Sequence, residues 1–478
     1  MTRSLPLPVV KIAVVGHTNT GKTSLLRTLT QNVDFGEVSD RPATTRHVEG
    51  TVLLVDGMPM VELYDTPGLE DSIGLLEHLD GLRPGRETDW IDAIRGFLDS
   101  PAAHAGPEGA FEQEAKAIRQ VLDSDIALYV IDARDRVLGK HRDELEILGR
   151  CAIPVVPVLN FVASAEAKTE QWREHLSRAG MHAVAEFDTV VLNENAEQRL
   201  FEKMQSLLDT FRPTLAALIK DRKQRRANLI RASADLLADL LIDVAAYRVL
   251  VSTDEPNTAP IVEALKQAVR DREHRCVAAL LEMFRFRPDD YEADLVPLDN
   301  GEWGMDLFSP ESLMDFGVRA GGGAVAGGLT GLAVDAMVGG MTLGAAAALG
   351  ATIGGLYGTF ESHGKRIADT VRGFTALRVQ EETLRLLAVR QMRLIRALLR
   401  RGHASPDKIQ IEAQAKEGEK TWTSGRLPKA LSRAKTHSEW SRLGTADPSA
   451  IGADSKRAAT ETELAGVIEA ELSRSLEI

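Results

Sequence analysis

Apolar positions in the first part of the chain fall into short, nearly unbroken runs set between stretches of helical spacing. Val9–Val15 is one such run, interrupted by Lys11 and ended by Gly16. Ile126–Ile131 and Val155–Leu159 are continuous apolar runs of strand length, the pattern of strands buried on both faces. Thr51–Asp56 and Met60–Tyr64 flank Asp56-Gly57, which predicts a hairpin. Thr189–Leu192 reads as a last strand. Helical spacing covers Gly21–Leu29, Gly109–Leu122 and Arg142–Arg150. Such alternation predicts a mostly parallel sheet with helices on both faces, over residues 9–213.

Past Pro213 the spacing is helical only. Leu229, Leu236, Leu240, Val244 and Tyr247 mark one face, and Ile261–Phe284 and Ile367–Leu399 repeat the pattern. An all-α domain over residues 214–402 is the expectation. Arg390, Arg393, Arg396 and Arg400 read as a solvated helix face. Residues 403–478 are polar and predict a partly disordered tail with a short amphipathic helix near Glu461–Leu476.

Residues 320–360 stand apart. They hold a single charge, Asp335, and glycines four apart at Gly323, Gly327 and Gly331, then at Gly350, Gly354 and Gly358. Small residues at that spacing form a glycine zipper that lets helix backbones approach closely. Ala336–Phe360 carries no charge, and a spanning helix needs about 20 predominantly apolar residues. The segment therefore reads as a membrane contact, peripheral or hairpin-inserted at the inner membrane. A packed helix pair seated near Leu236 or Leu387 is the alternative.

Composition narrows the classes. Lys plus Arg is 57 and Asp plus Glu is 70, a net charge of −13, which argues against wholesale coating of nucleic acid or anionic lipid. Lys220, Arg222, Lys223, Arg225 and Arg226 form a local basic cluster that keeps RNA or lipid phosphate open as a contact. The two cysteines, Cys151 and Cys276, form neither a disulfide framework nor a metal-ligand spacing. That usage, with no signal-peptide pattern, predicts a cytoplasmic setting.

The chemistry lies early in the chain. Residues 16–23 read GHTNTGKT, a full match to G-x-x-x-x-G-K-[ST], between a strand and a helix. Gly16, Asn19, Thr20, Gly21 and Ser24 belong to a loop and helix start whose N–H groups cradle phosphates. Lys22 would reach the β- and γ-phosphates, and the Thr23 hydroxyl would ligate Mg²⁺, a hard cation that takes oxygen ligands. Asp65-Thr66-Pro67-Gly68 follows the next strand. Asp65 there is placed to hold Mg²⁺ through water, and the Gly68 amide to sense the γ-phosphate. Between the two lies PATTRHVEG, residues 42–50, in which Thr45, or failing that Thr44, would close over Mg²⁺.

GHTNTGKTSL, ATTRHVEG and DTPGLED together resemble the small G domain of the TrmE–Era–EngA class of bacterial GTPases, with TTRH closest to Era. The resemblance covers residues 9–213 and implies a Ras-like fold, GTP and GDP as ligands, Mg²⁺ as cofactor and hydrolysis of GTP. The whole-chain layout is similar to a poorly characterised family of bacterial GTPases with a helical C-terminal domain. Two departures qualify this. The family's guanine-reading box is N-K-x-D, and here it is Asn160-Phe161-Val162-Ala163. Asn160 is kept for the guanine edge, Phe161 would cover one face of the base, and the base-pairing carboxylate is replaced by Ala163. The last box, near Asn193-Glu194-Asn195-Ala196, is a loose match. Leu69 also stands where Ras-like proteins carry a water-orienting Gln. Asn19 occupies the position that helps ligate K⁺ in potassium-activated members, so K⁺ is expected to join Lys22 and Thr45 in catalysis. The function expected is a GTPase switch with an unknown protein partner. A nucleotide-binding scaffold without efficient turnover and a G-domain-driven membrane-remodelling protein are the alternatives.

Overall fold

The computed structural model describes residues 7–30, 48–82, 89–105, 109–191, 195–252, 254–284, 298–299, 302–303, 305–318, 332–335, 374–400, 420–443 and 455–476. The chain divides into two compact units, the first made of Met1–Arg225 with Arg400–Asp407 and the second of Arg226–Leu399 with Lys408–Ile478.

The first unit is built on six strands: β1 (Val10–Val15), β2 (Glu49–Val55), β3 (Met58–Asp65), β4 (Ile126–Asp132), β5 (Val155–Asn160) and β6 (Ala185–Glu186). Their order is β2-β3-β1-β4-β5-β6. β2 pairs antiparallel with β3, and the other pairings are parallel. The helices are α1 (Lys22–Thr30), α2 (Ser72–Gly81), α3 (Trp90–Leu98), α4 (Glu112–Leu122), α5 (Gly139–Arg150), α6 (Thr169–Arg178) and α7 (Ala196–Leu207). β4 and β5 are buried along their whole length, as their unbroken apolar runs require. Alternation in β1 sorts its side chains between two cores. Ile12 and Val14 join Leu25, Leu26, Leu200, Phe201 and Met204, whereas Ala13 and Val15 join Leu75, Phe97, Ile118, Leu145 and Trp172. The hairpin turns at Asp56-Gly57, with φ of +50° and +77°, the pair of positive angles that suits Asp-Gly. The last strand described in this unit is Ala185–Glu186; of the strand expected over Thr189–Leu192, Leu192 lies outside the described residues. Thr189 instead turns inward to bond Asn160, and Val191 lies 52% exposed.

A 35-residue helix, α8 (Arg212–Ala246), begins in the first unit and ends in the second. The second unit is largely helical, with Ala259–Met283 and Glu381–Arg400 as further long elements. Strands occur there as well, against the expectation of helices only. Arg248–Ser252, Phe374–Val379 and Leu332–Asp335 form an antiparallel sheet with Phe374–Val379 in the middle. The periodicity read over Ile367–Leu399 thus merges a strand and a helix. Leu332–Asp335 pairs with Val379–Ala376, so the zipper helices expected within 320–360 do not include these residues. The rest of 320–360 lies outside the described residues. No helix among the described residues is long and apolar enough to cross a membrane.

Two further expectations change. The arginine face of Glu381–Arg400 is interior: Arg390, Arg393 and Arg396 are buried, and Arg390 meets the buried Glu273 at 3.3 Å. Burial of a guanidinium requires such a partner, and that partner is far away in sequence. The polar C-terminal stretch is also part of the core where it is described. Trp422, Leu431, Trp440, Leu464 and Ile468 are buried in the same cluster as Leu241 and Leu387.

Candidate nucleotide site

The phosphate loop sits between β1 and α1, as its motif demands. Gly16 has φ +144°, and a Cβ there would fall 2.4 Å from the Val130 carbonyl oxygen. Gly21 has φ +90°, and a Cβ there would fall 2.3 Å from Asn160 Nδ2. Both glycines are therefore required by close approach as well as by angle. Asn19 takes φ +65°, which asparagine tolerates better than most residues. Its side chain is exposed and has no hydrogen-bond partner among the described residues. The Thr20 hydroxyl closes the loop on the His17 carbonyl at 3.0 Å. Lys22 is buried, and its Nζ donates to the carbonyls of His17 (2.8 Å) and Gly16 (3.2 Å). Burial lowers its pKa, against the opposing pull of Asp65, Glu144 and Glu70. Ser24 lies in the first turn of α1.

Asp65 ends β3 directly beside this loop. The Thr23 hydroxyl donates to Asp65 Oδ2 at 2.5 Å, while Oδ1 is buried without a partner. Desolvation raises the Asp65 pKa, with the Thr23 hydrogen bond and Lys22 opposing. A buried carboxylate oxygen left unpaired next to a hydroxyl is a donor set that fits a hard dication. Thr23 and Asp65 would hold Mg²⁺, which neutralises phosphate charge when bound. Thr44, Thr45 and His47 lie outside the described residues. The segment after Asp65 is fastened to the core: the Thr66 hydroxyl donates to the Val14 carbonyl at 2.8 Å, and the Leu69 amide to the Gly16 carbonyl at 3.3 Å. Gly68 packs so closely that a Cβ would fall 2.6 Å from Thr18 Oγ1.

On the base side, Asn160 is fully buried. Its Nδ2 donates to the Thr20 carbonyl at 3.0 Å, and its Oδ1 accepts from the amides of Phe161 (2.9 Å) and Thr189 (3.0 Å). The residue therefore ties the phosphate loop to the two neighbouring loops. Phe161 has φ +57°, a strained angle for a bulky residue. The Arg134 guanidinium lies 4.1 Å from the centre of its ring. Arg134 is in turn gripped by both oxygens of Asp132, at 2.6 to 3.2 Å. The Ala163 amide donates to Asp188 Oδ2 at 2.9 Å. Sequence reasoning singled out Asn160, Phe161 and Ala163 but not Arg134, Asp132 or Asp188. Those three are recruited from other strand ends, where no motif marks them. Asn193 and Glu194 lie outside the described residues, and Asn195 precedes α7.

Comparison with known proteins gives two family matches. A domain of unknown function, DUF3482, matches residues 173–466, and a 50S ribosome-binding GTPase family matches residues 11–161. The tRNA modification GTPase MnmE of Synechococcus elongatus is 29% identical over 184 residues, 38% of this chain and 36% of the relative. MnmE of Pseudoalteromonas atlantica is 26% identical over 240 residues, 49% of each. The chain thus spans about a third to a half of the length of these curated relatives. Among solved structures, Era in complex with MgGDPNP and a piece of 16S ribosomal RNA aligns at 16% identity with a TM-score of 0.28. That alignment covers 48% of this chain and 67% of that one.

Proposed function

The chain belongs to the family defined by the domain of unknown function DUF3482, with a GTPase domain in its N-terminal part; on that premise we propose that it is a Mg²⁺-dependent, K⁺-activated GTP switch that signals through its helical domain. GTP binding and hydrolysis follow from the GTPase domain. The observation that carries the Mg²⁺ assignment is the Thr23–Asp65 contact at 2.5 Å with Asp65 Oδ1 unpaired. The K⁺ assignment is supported by Asn19, whose exposed side chain is not spent on holding the loop. With Leu69 1% exposed in the core, no side chain at that position orients water, and a cation among the phosphates would supply the missing charge.

The helix α8 is the proposed output. Its first part is locked to the G domain: Arg222 donates to the Leu29 carbonyl at 3.0 Å and pairs with Glu197 at 3.2 Å. Arg225 reaches the Leu54 carbonyl on β2 at 3.3 Å and pairs with Asp221 at 2.7 Å. Two residues of the basic cluster are thereby engaged within the protein. This and the net charge of −13 favour a protein partner over the tRNA named for the MnmE relatives. The test is GTP turnover with Mg²⁺ in K⁺ and in Na⁺. Faster turnover in K⁺, a difference erased by Asn19→Ala, and loss of activity in Lys22→Ala and Thr23→Ala are expected. Equal rates in the two salts would remove the potassium mechanism, and full activity of both P-loop variants would remove the site.

A further inference from the structure

The side chain of His17, the second residue of the phosphate loop, does not point at a histidine's usual surface partners. Its Nδ1 lies 3.1 Å from the Leu69 carbonyl oxygen and 3.0 Å from Glu144 Oε1. Glu144, on α5, is fully buried, and its other oxygen accepts from the Tyr129 hydroxyl at 2.5 Å. A carbonyl and a carboxylate only accept, so Nδ1 must carry the proton and share it between them. Leu69 is consequently held at both ends of its backbone. Its amide donates to the Gly16 carbonyl at 3.3 Å, and its carbonyl accepts from His17. Gly68, whose amide is the proposed sensor of the γ-phosphate, is the residue immediately before it.

We infer that His17 is a positioning residue for GTP hydrolysis, anchored by Glu144 and acting through the Leu69 carbonyl on the Asp65–Leu69 segment. The arrangement answers the loss of the usual glutamine. Position 69 no longer offers a side chain to the reaction, and its backbone becomes the handle by which the segment is set. Glu144 fixes the ring, as a carboxylate fixes a histidine tautomer in many sites. The Tyr129 hydroxyl fixes Glu144 in turn. The neighbouring contact runs the same way: the Thr18 hydroxyl donates to Glu70 Oε1 at 3.3 Å. Two successive loop residues thus grip Leu69 and the residue that follows it.

The inference rests on hydrolysis by the wild type, so wild-type turnover in Mg²⁺ and K⁺ is measured first. No turnover there would refute the hydrolase reading instead. His17→Ala is expected to lower kcat roughly ten- to hundredfold, because it removes both the bond that holds the Leu69 carbonyl and the charge-assisted bond to Glu144 that anchors the ring. KM for GTP and the affinity for GDP should stay within about threefold, because the phosphate cradle is untouched. His17→Asn places an amide N–H close to the position of Nδ1 and is expected to recover most of kcat. A purely structural role of the ring would not give that rescue. Wild-type kcat in His17→Ala would overturn the inference. So would equal loss in the Ala and Asn variants, or a fall in GDP affinity that matches the fall in turnover.

Discussion

Guanine selection is where the site and its lineage differ most. A guanine donates N1–H and an exocyclic N2–H₂, and a carboxylate opposite them accepts both. Inosine lacks the exocyclic amine, so a site with that carboxylate prefers GTP over ITP by the worth of one hydrogen bond to a charged group. That is about 1.5–3 kcal/mol, or roughly ten- to hundredfold in kcat/KM. Here the position is Ala163, which has no acceptor side chain, and its own amide is committed to Asp188 at 2.9 Å. A base stacked on Phe161, which Arg134 backs at 4.1 Å, would be held without regard to the amine. The expected result is that kcat/KM for GTP and ITP agree within about threefold. Ala163→Asp, at an exposed position, is expected to raise the GTP-to-ITP ratio by about tenfold or more. Steady-state phosphate release with each nucleotide measures both. A wild-type ratio above about tenfold would refute the reasoning. The buried Asp188 would then be the first carboxylate to test as its replacement.

Asp65 has its pKa raised above the ordinary 3.8 by burial. The cost of its charge is absent below 3.8 and is fully present above the raised value, so stability is lost as pH rises through that window. Asp65→Asn should therefore raise the melting temperature at pH 7 in EDTA and abolish the stabilisation by Mg²⁺ with nucleotide. Cys151 and Cys276 are buried, with thiols pushed up to about 12. Both should resist a thiol reagent at pH 8 in the native protein and react on unfolding, and one fast-reacting thiol would contradict that burial. Glu273→Leu should destabilise the helical domain by about 3–5 kcal/mol by stranding Arg390, and adding Arg390→Met should restore most of it. Urea unfolding of the two variants decides the point, and a double variant no better than the single would refute the pairing.

The parts of the molecule that were legible in the sequence are those written locally. GHTNTGKT specifies a strand, a loop and a helix start within one short stretch, and each side of it folds accordingly. β4 and β5 were legible because burial on both faces needs continuous apolar residues. The departures at Phe161, Ala163 and Leu69 were visible as identities, but their consequences were not. The stack of Arg134 on Phe161 joins the ends of two different strands, and the grip on Leu69 joins β3's end to α5 through His17. Neither leaves a spacing to read. Phe374–Val379 failed for a different reason. It abuts a helix with its own apolar periodicity, so one pattern ran into the other and concealed the strand.

The C-terminal stretch shows why composition misleads at a boundary. Its polar character suggests a chain that cannot bury enough apolar surface to order itself, yet large apolar residues are buried where it is described, from Trp422, Leu431 and Trp440 to Leu464 and Ile468. Charge supplies the remaining specificity. Asp239 and Asp243 on α8 face Arg272, with contacts of 2.8 Å to each. They also face Arg442, 3.0 Å from Asp239, and Arg457, 3.1 Å from Asp243. Asp243 is 1% exposed, so a boundary drawn at residue 402 would leave that carboxylate with Arg272 as its remaining arginine among these. A buried charge deprived of partners destabilises more than an intact pair stabilises. The described residues of that stretch, 420–443 and 455–476, thus complete the helical domain instead of trailing from it. The helix proposed to carry the nucleotide signal also bears the two aspartates on which those residues close.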